Sequence, residues 1–351
     1  MKNNILILGS FGYHNSQLDG QTIKTRSVYQ LFRDNYNGRV EMFCSMTLRT
    51  KVHRYIILLW RILTSKTIIM IYSSSGGFQT MLPAIYRITK LLSKRIIYIA
   101  IGSTQIDCIE GVGLYANKRD DLLHICRNLH AFLAETNKVK NILIEKYDYK
   151  NVELLPNFRY FDKNIPFHHA SKNTLRLVFM ARITPKKGYI TIFNFVEYIK
   201  DNGLNIIIDF YGPMDGVCND EFLGLIAKYR DYGVNYKGVL QPDEIYDTLG
   251  KYDVMLFPTL IDGIPGSIID AYVSSLTVIA TNWEYAHEII DDNHNGFIVS
   301  YDNPKKQEEF NERIIRLYND RELLERMKYN AYISRERYST QTAWNILKKH
   351  L

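Results

Sequence analysis

From Met42 to Ile106 the chain contains no aspartate or glutamate, although its formal net charge over 351 residues is only +7. Within that span stand Arg49, Lys51, Arg54, Arg61, Lys66, Arg87, Lys90, Lys94 and Arg95, interleaved with YIILLW, LPAIY and ITKLL. Other absences narrow the class of protein. Cysteine is scarce: Cys44, Cys108, Cys126 and Cys218 are widely spaced and follow no disulfide or metal pattern, as expected of a reduced, cytoplasmic protein. The first residues, MKNNILILGS, hold too short an apolar run for a secretory signal, and no run elsewhere approaches a membrane span. There is no low-complexity tract or internal repeat, and 46% hydrophobic with 23% charged residues is ordinary globular composition. The length suits two domains. No nucleic-acid motif accompanies the basic residues, so a nucleic-acid partner is not expected.

Two helices, near Val52–Thr64 and Phe78–Ser93, carry these cations beside an apolar face. Two outcomes stay open: the helices lie on an anionic membrane surface, or the apolar faces pack on a sheet and the cations merely solvate the outside.

Along the chain, short apolar runs alternate with helical patterns, the signature of parallel α/β sheets. Asn4–Leu8 reads as a first strand ending in Gly9-Ser10-Phe11-Gly12, followed by a helix from about Gln21 to Phe32. The glycine spacing excludes a dinucleotide fingerprint. Lys24 and Arg26 open that helix, where they either meet an anionic ligand or are solvated, and His14 lies in the loop before it. Strands near Ile68–Tyr72 and Arg95–Ile101 end in Ser73–Gly77 and Gly102-Ser103-Thr104. Pro156-Asn157 closes a first half, and the polar RYFDKNIPFHHASKN reads as a linker.

The second half opens with LRLVFMARITPKKGY, a strand, a polar turn and a helix start, with Arg182 and Lys187 bracketing the turn and Gly188 after it. Farther on, YDVMLFP and TVIAT are buried-strand patterns flanking PTLIDGIPGSIID, a βαβ unit whose loop lies at a strand's carboxyl end. Open α/β sheets bind ligands at that edge. Pro265 suits a first helical position, which leaves the N–H groups of Gly266 and Ser267 facing whatever lies above the turn. Asp270 falls about one turn inside that helix, so it and Asp262 can border one ligand and accept the paired hydroxyls of a sugar or ribose. The plain alternative is a capped helix start with two solvated acids.

The segment PTLIDGIPGSIIDAYVSSLTVIATN, with EIIDDNHNGFIV after it, resembles the donor-site signature of GT-B glycosyltransferases of the retaining GT4 type, two acids separated by seven residues. Asp262 and Asp270 stand where that family usually has glutamates. Arg182, Lys187 and Gly188 resemble its R-x4-KG element, which grips the donor's diphosphate, and Gly20 matches the glycine of its first loop. Where relatives often have a histidine after a first-domain strand, this chain has Gly102-Ser103-Thr104.

The resemblance implies two Rossmann-like domains facing each other across a cleft. The first, 1–160 with a returning C-terminal helix near 339–351, would bind the acceptor; the second, 161–338, would bind the nucleotide-sugar. It implies that Arg182 and Lys187 stabilise the leaving diphosphate and that Asp270 holds the ribose. Asp262 and the backbone of Gly263, Ile264, Pro265, Gly266 and Ser267 would orient the sugar, while Gly212, Gly238 and Val239 line the base pocket. Lacking any D-x-D triplet, the chain is expected to need no metal and no cofactor. A UDP-sugar is the expected donor, with a glycan or lipid-linked saccharide as acceptor and the inner face of a bacterial membrane as a possible surface. Two rival functions stay open: a sugar-nucleotide epimerase, with His14 and Asp107 as its acid/base candidates, and a donor-binding subunit without turnover.

Overall fold

The computed structural model describes residues 4–12, 20–45, 53–102, 104–112, 119–200, 202–214, 216–301 and 303–351. The chain divides into one unit of residues 1–160 with 339–351 and a second of 161–338.

In the first unit six strands, β1 (Ile5–Gly9), β2 (Val40–Cys44), β3 (Thr67–Tyr72), β4 (Arg95–Ala100), β5 (Ala131–Ala134) and β6 (Val152–Leu154), form one parallel sheet in the order β2-β1-β3-β4-β5-β6. A parallel sheet is covered on both faces, so its central strands are continuously apolar; ILILG and TIIMIY are buried throughout. Leu6, Leu8, Ile68 and Met70 point to one face, under the helices His53–Thr64 and Leu82–Leu91. Ile5, Ile7, Ile69 and Ile71 point to the other, under Val28, Leu31 and Phe32 of the helix Gly20–Asn35 and Ala343 and Leu347 of the helix Thr340–Leu347. Trp344 meets Phe32 edge to face, ring centroids 5.4 Å apart, so the last helix is part of this unit's core.

The second unit repeats the plan with β7 (Leu175–Met180), β8 (Ile206–Tyr211), β9 (Val234–Tyr236), β10 (Val254–Phe257), β11 (Thr277–Thr281) and β12 (Gly296–Val299), in the order β12-β11-β10-β7-β8-β9, all parallel. Its chain passes from β7 outward through β8 and β9, then returns to β10 on β7's other side. The order therefore reverses between β7 and β10, and in open α/β sheets the carboxyl ends of the strands at such a reversal are where ligands bind.

Several expectations need correction. Within the expected linker, residues 161–173 are held by the second unit: Arg335 donates to the carbonyls of Ile165 (3.1 Å) and Lys163 (3.0 Å), Glu325 accepts the N–H of Ala170 (2.7 Å), and Asp253 accepts that of Ser171 (2.8 Å). The helix expected from Phe78 starts earlier, for residues Ser74–Met81 are already helical. The helix after Pro265 begins at Gly266, with Pro265 itself extended at φ −72° and ψ 126°. Lastly, Arg54 and Arg61 of the helix His53–Thr64 do not solvate its outer side; both lie over the Phe43 ring, at 5.0 and 5.8 Å.

Candidate donor site at the strand-order reversal

At the carboxyl ends of β7 and β10, Arg182 and Lys187 lie on one loop and Asp262 on the other. Past β7 the backbone stays paired with the segment after β8, Ala181 N donating to Tyr211 O (3.2 Å) and Ile183 N to Pro213 O (2.9 Å). Arg182 between them projects outward, exposed and without an ion pair among the described residues. Gly212 fits here because only a glycine can: its φ is +140°, and an added Cβ would stand 1.8 Å from the Ala181 carbonyl oxygen. Gly212 N donates to Gly238 O (2.8 Å) and Tyr236 Oη to Gly212 O (2.9 Å), so the predicted Arg182, Gly212 and Gly238 form one cluster. Val239 follows with its side chain exposed.

The second cluster surrounds Gly188, at φ +81°, where a Cβ would meet the Pro258 carbonyl oxygen at 1.9 Å. The loop leaving β10 thus packs directly on the Lys187–Gly188 turn. Leu260 N adds a bond to Lys186 O (3.0 Å), and Thr281 Oγ1 donates to Thr259 O. This zipping brings Lys187 Nζ to 2.6 Å from Asp262 Oδ2, both side chains about a quarter exposed. The other carboxylate oxygen accepts Gly263 N–H at 3.0 Å. That amide is therefore engaged, contrary to the expectation that it faces a ligand.

Trp283 Nε1 donates to Gly263 O (3.2 Å) and holds the turn from below. Ile264 contributes backbone only, its side chain being buried in the core with Phe257 and Trp283. The first N–H groups of the helix Gly266–Val273, those of Gly266 and Ser267, have no intrahelical acceptor and start directly behind this turn. Asp270 is buried, with the Tyr246 hydroxyl 3.4 Å from its Oδ1. Below the site, Asp209 accepts from Tyr252 (2.6 Å) and Asn235 (2.8 Å); burial and that carboxylate push the Tyr252 phenol far up.

Of the remaining predicted residues, Gly20 opens the helix Gly20–Asn35 in the first unit, with open space around it. Lys24 is neither solvated nor open to a ligand. It is buried, 2.9 Å from Glu135 Oε2, and the same oxygen accepts Gly102 N–H at 3.2 Å. Asp107 sits on the helix Thr104–Glu110. His14 and Ser103 lie outside the described residues. Glu135, Tyr246 and Trp283 were not anticipated. Of these, only Glu135 carries a sequence signal, an acid directly after the apolar strand AFLA.

Residues 161–334 match the family model described as Glycosyl transferases group 1. These residues belong to that family. Two capsular polysaccharide biosynthesis glycosyltransferases of Staphylococcus aureus are similar: CapM, 26% identical over 52% of this chain and 47% of its own, and CapH, 26% identical over 32% of each. The chain thus spans about half or less of the curated relatives it matches. Among solved structures, HepE from Anabaena, described in complex with UDP, superposes with a TM-score of 0.74 at 14% identity, covering 99% of each chain. The sucrose-phosphate synthase of Thermosynechococcus elongatus gives 0.71 at 11%, covering 99% of this chain and 98% of its own. Pneumococcal GtfA, an O-GlcNAc transferase described with UDP and GlcNAc, gives 0.65 at 16%, covering 84% and 58%. At such identities the likeness establishes the fold, which is GT-B.

Proposed function

We propose that the protein is a glycosyltransferase that moves a sugar from a nucleotide-sugar to a glycan or lipid-linked acceptor, with retention of anomeric configuration and without a metal. The observation that carries this is the pair of loops at the β7/β10 reversal: one carries Arg182 and Lys187, and the other carries Asp262, Lys187's ion-pair partner, just ahead of a helix N-terminus. When the glycosidic bond to the donor breaks, negative charge collects on the departing diphosphate, and fixed cations and amides at that spot stabilise it. Arg182 and Lys187 take that role, joined by the Gly266 and Ser267 amides. Asp262 orients both Lys187 and the sugar, and Asp270 holds the ribose. The clustered glycines Gly212 and Gly238, with Val239, admit the base. The leaving phosphate assists removal of the acceptor's proton, so no protein nucleophile is required.

UDP is the proposed nucleotide, in keeping with the ligands described for HepE and GtfA. The names of CapH and CapM support a place in surface polysaccharide synthesis, and the proposed place of that work is the cytoplasmic face of a bacterial membrane. The first unit takes the acceptor.

The test is a thermal-shift and hydrolysis screen against UDP-, GDP-, ADP- and CMP-sugars in EDTA. A ligand that binds the native state raises its midpoint, so a weak donor is detectable. One nucleotide-sugar should stabilise the protein and be slowly hydrolysed without metal. Binding without hydrolysis would favour a non-catalytic subunit, and no binding to any would remove the donor site.

A further inference from the structure

The helix His53–Thr64 turns its cations inward and its apolar residues outward. Leu58 and Ile62 enter the core, while Arg61 lies 3.5 Å from Glu41 and, like Arg54, folds over Phe43. On the opposite side Tyr55, Ile56, Leu59, Trp60 and Leu63 recur at i, i+1, i+4, i+5 and i+8, the spacing of a single helical stripe. All five are exposed, Ile56 at 73% and Trp60 at 54%, and no charged residue interrupts the stripe. Lone exposed apolar residues are common, but a contiguous stripe of this kind marks a contact surface.

The surroundings supply the sign of the partner. Lys94 donates to Leu63 O (2.7 Å) and to Ser65 O, joining the end of this helix to the turn that follows Leu82–Leu91. The end of the helix Leu82–Leu91 and the turn after it expose Leu91 and Leu92, with Lys90 beside them, and Lys66 is exposed just after the helix His53–Thr64. Two acids nearby are paired with cations, Asp121 with Arg87 across 3.0 Å and Glu41 with Arg39 and Arg61. Tryptophan and tyrosine on an apolar stripe, with lysines at its margin, match the order of acyl chain, interface and phosphate in an anionic bilayer. The helix, at 12 residues, can lie in that interface, and no helix among the described residues is long and apolar enough to cross it.

We propose that this face docks the first unit on an anionic phospholipid surface, Ile56 and Trp60 entering the boundary between headgroups and acyl chains and Lys66 and Lys90 meeting lipid phosphates. The inference rests on the surface alone and is independent of donor turnover in the second unit.

The full chain is mixed with vesicles of phosphatidylglycerol and phosphatidylcholine, or of phosphatidylcholine alone, at physiological salt, and followed by sedimentation and tryptophan emission. It should sediment with the anionic vesicles and shift its emission to the blue, and Trp60→Phe should abolish the shift. Ile56→Ser with Trp60→Ser should lower partitioning by about tenfold or more, from the apolar area withdrawn from water. Lys66→Gln with Lys90→Gln should weaken binding and flatten its salt dependence. Unchanged melting and nucleotide-sugar thermal shifts in these variants would separate docking from folding and donor binding. Failure to sediment with either vesicle, or equal sedimentation of all variants, overturns the proposal. So does a wild-type dimer in light scattering that the serine variant converts to monomer, since the face would then belong to a second copy.

Discussion

Lys187 Nζ stands 2.6 Å from Asp262 Oδ2, so the proposed diphosphate cation and the proposed sugar-binding acid are partners before any ligand arrives. Removing the lysine alone leaves a carboxylate facing the incoming phosphates. Lys187→Met should therefore reduce kcat/KM by about 10²–10³-fold, the scale of losing one electrostatic contact to a transition state. Adding Asp262→Asn should restore part of UDP binding, because the repulsive charge goes with it. A double-mutant cycle on UDP affinity measures this coupling, and strict additivity would show that the two side chains do not act as a pair.

Gly188 and Gly238 have nearly the same left-handed backbone, φ +81° and +83°, but different surroundings. A Cβ at Gly188 collides with the Pro258 carbonyl, whereas at Gly238 it meets nothing within 4 Å. Gly238→Ala should cost about 1–2 kcal/mol in denaturant unfolding, the backbone term alone. Gly188→Ala should cost more than that, because the loop carrying Asp262 must move away from Lys187, and it should weaken UDP binding as well. Equal costs in both variants would show that the close approach contributes nothing.

The alternation of apolar runs and helices made both sheets legible, and the acid and base spacings marked the loops at β7 and β10. What escaped is what depends on contacts distant in sequence. Lys24 and Glu135 are separated by 111 residues, and nothing near Lys24 in the chain says that it is buried. Pro265 was placed one residue too far into the helix, because its φ suits both the first helical position and the extended residue before it, and only ψ tells them apart. For His53–Thr64 periodicity leaves both directions of the apolar stripe open, and contacts distant in sequence choose between them: Arg54 and Arg61 lie over Phe43, and Arg61 also meets Glu41.

Lys24 donates to Glu135 and lies within 3.3–3.4 Å of the carbonyls of Ala100 and Leu155, tying the ends of β4, β5 and β6 to the helix Gly20–Asn35. Lys24→Met leaves the Glu135 carboxylate buried without its cation and should destabilise the protein by about 3–5 kcal/mol. Lys24→Met with Glu135→Gln removes the charge while keeping an acceptor for Gly102 N–H, and should recover much of that loss. Urea unfolding of the two variants checks it; a double variant no more stable than Lys24→Met would mean that the cation's packing, not its charge, holds these strand ends.

Lys328 gives the second unit a dependence on alkaline pH. It is fully buried, donates to Tyr252 O (2.9 Å) and lies 3.6 Å from Asp253, yet burial outweighs that carboxylate and lowers its pKa from 10.5 to about 8. Below pH 8 the lysine is protonated in both the folded and unfolded chains, and the cost of burying its charge is fully present. Between about pH 8 and 10.5 the unfolded chain holds a proton that the folded one has released, so stability from this group rises with pH, by on the order of 3 kcal/mol in all. Buried tyrosines such as Tyr272 oppose it: their pKa is raised above 10, so their contribution falls as pH climbs past that value. Stability should therefore increase from pH 8 toward 10 and then turn down. Lys328→Met should abolish the rise and leave the downturn, in denaturant melts taken every half pH unit. A rise that persists in the variant would assign the proton uptake on unfolding to another group.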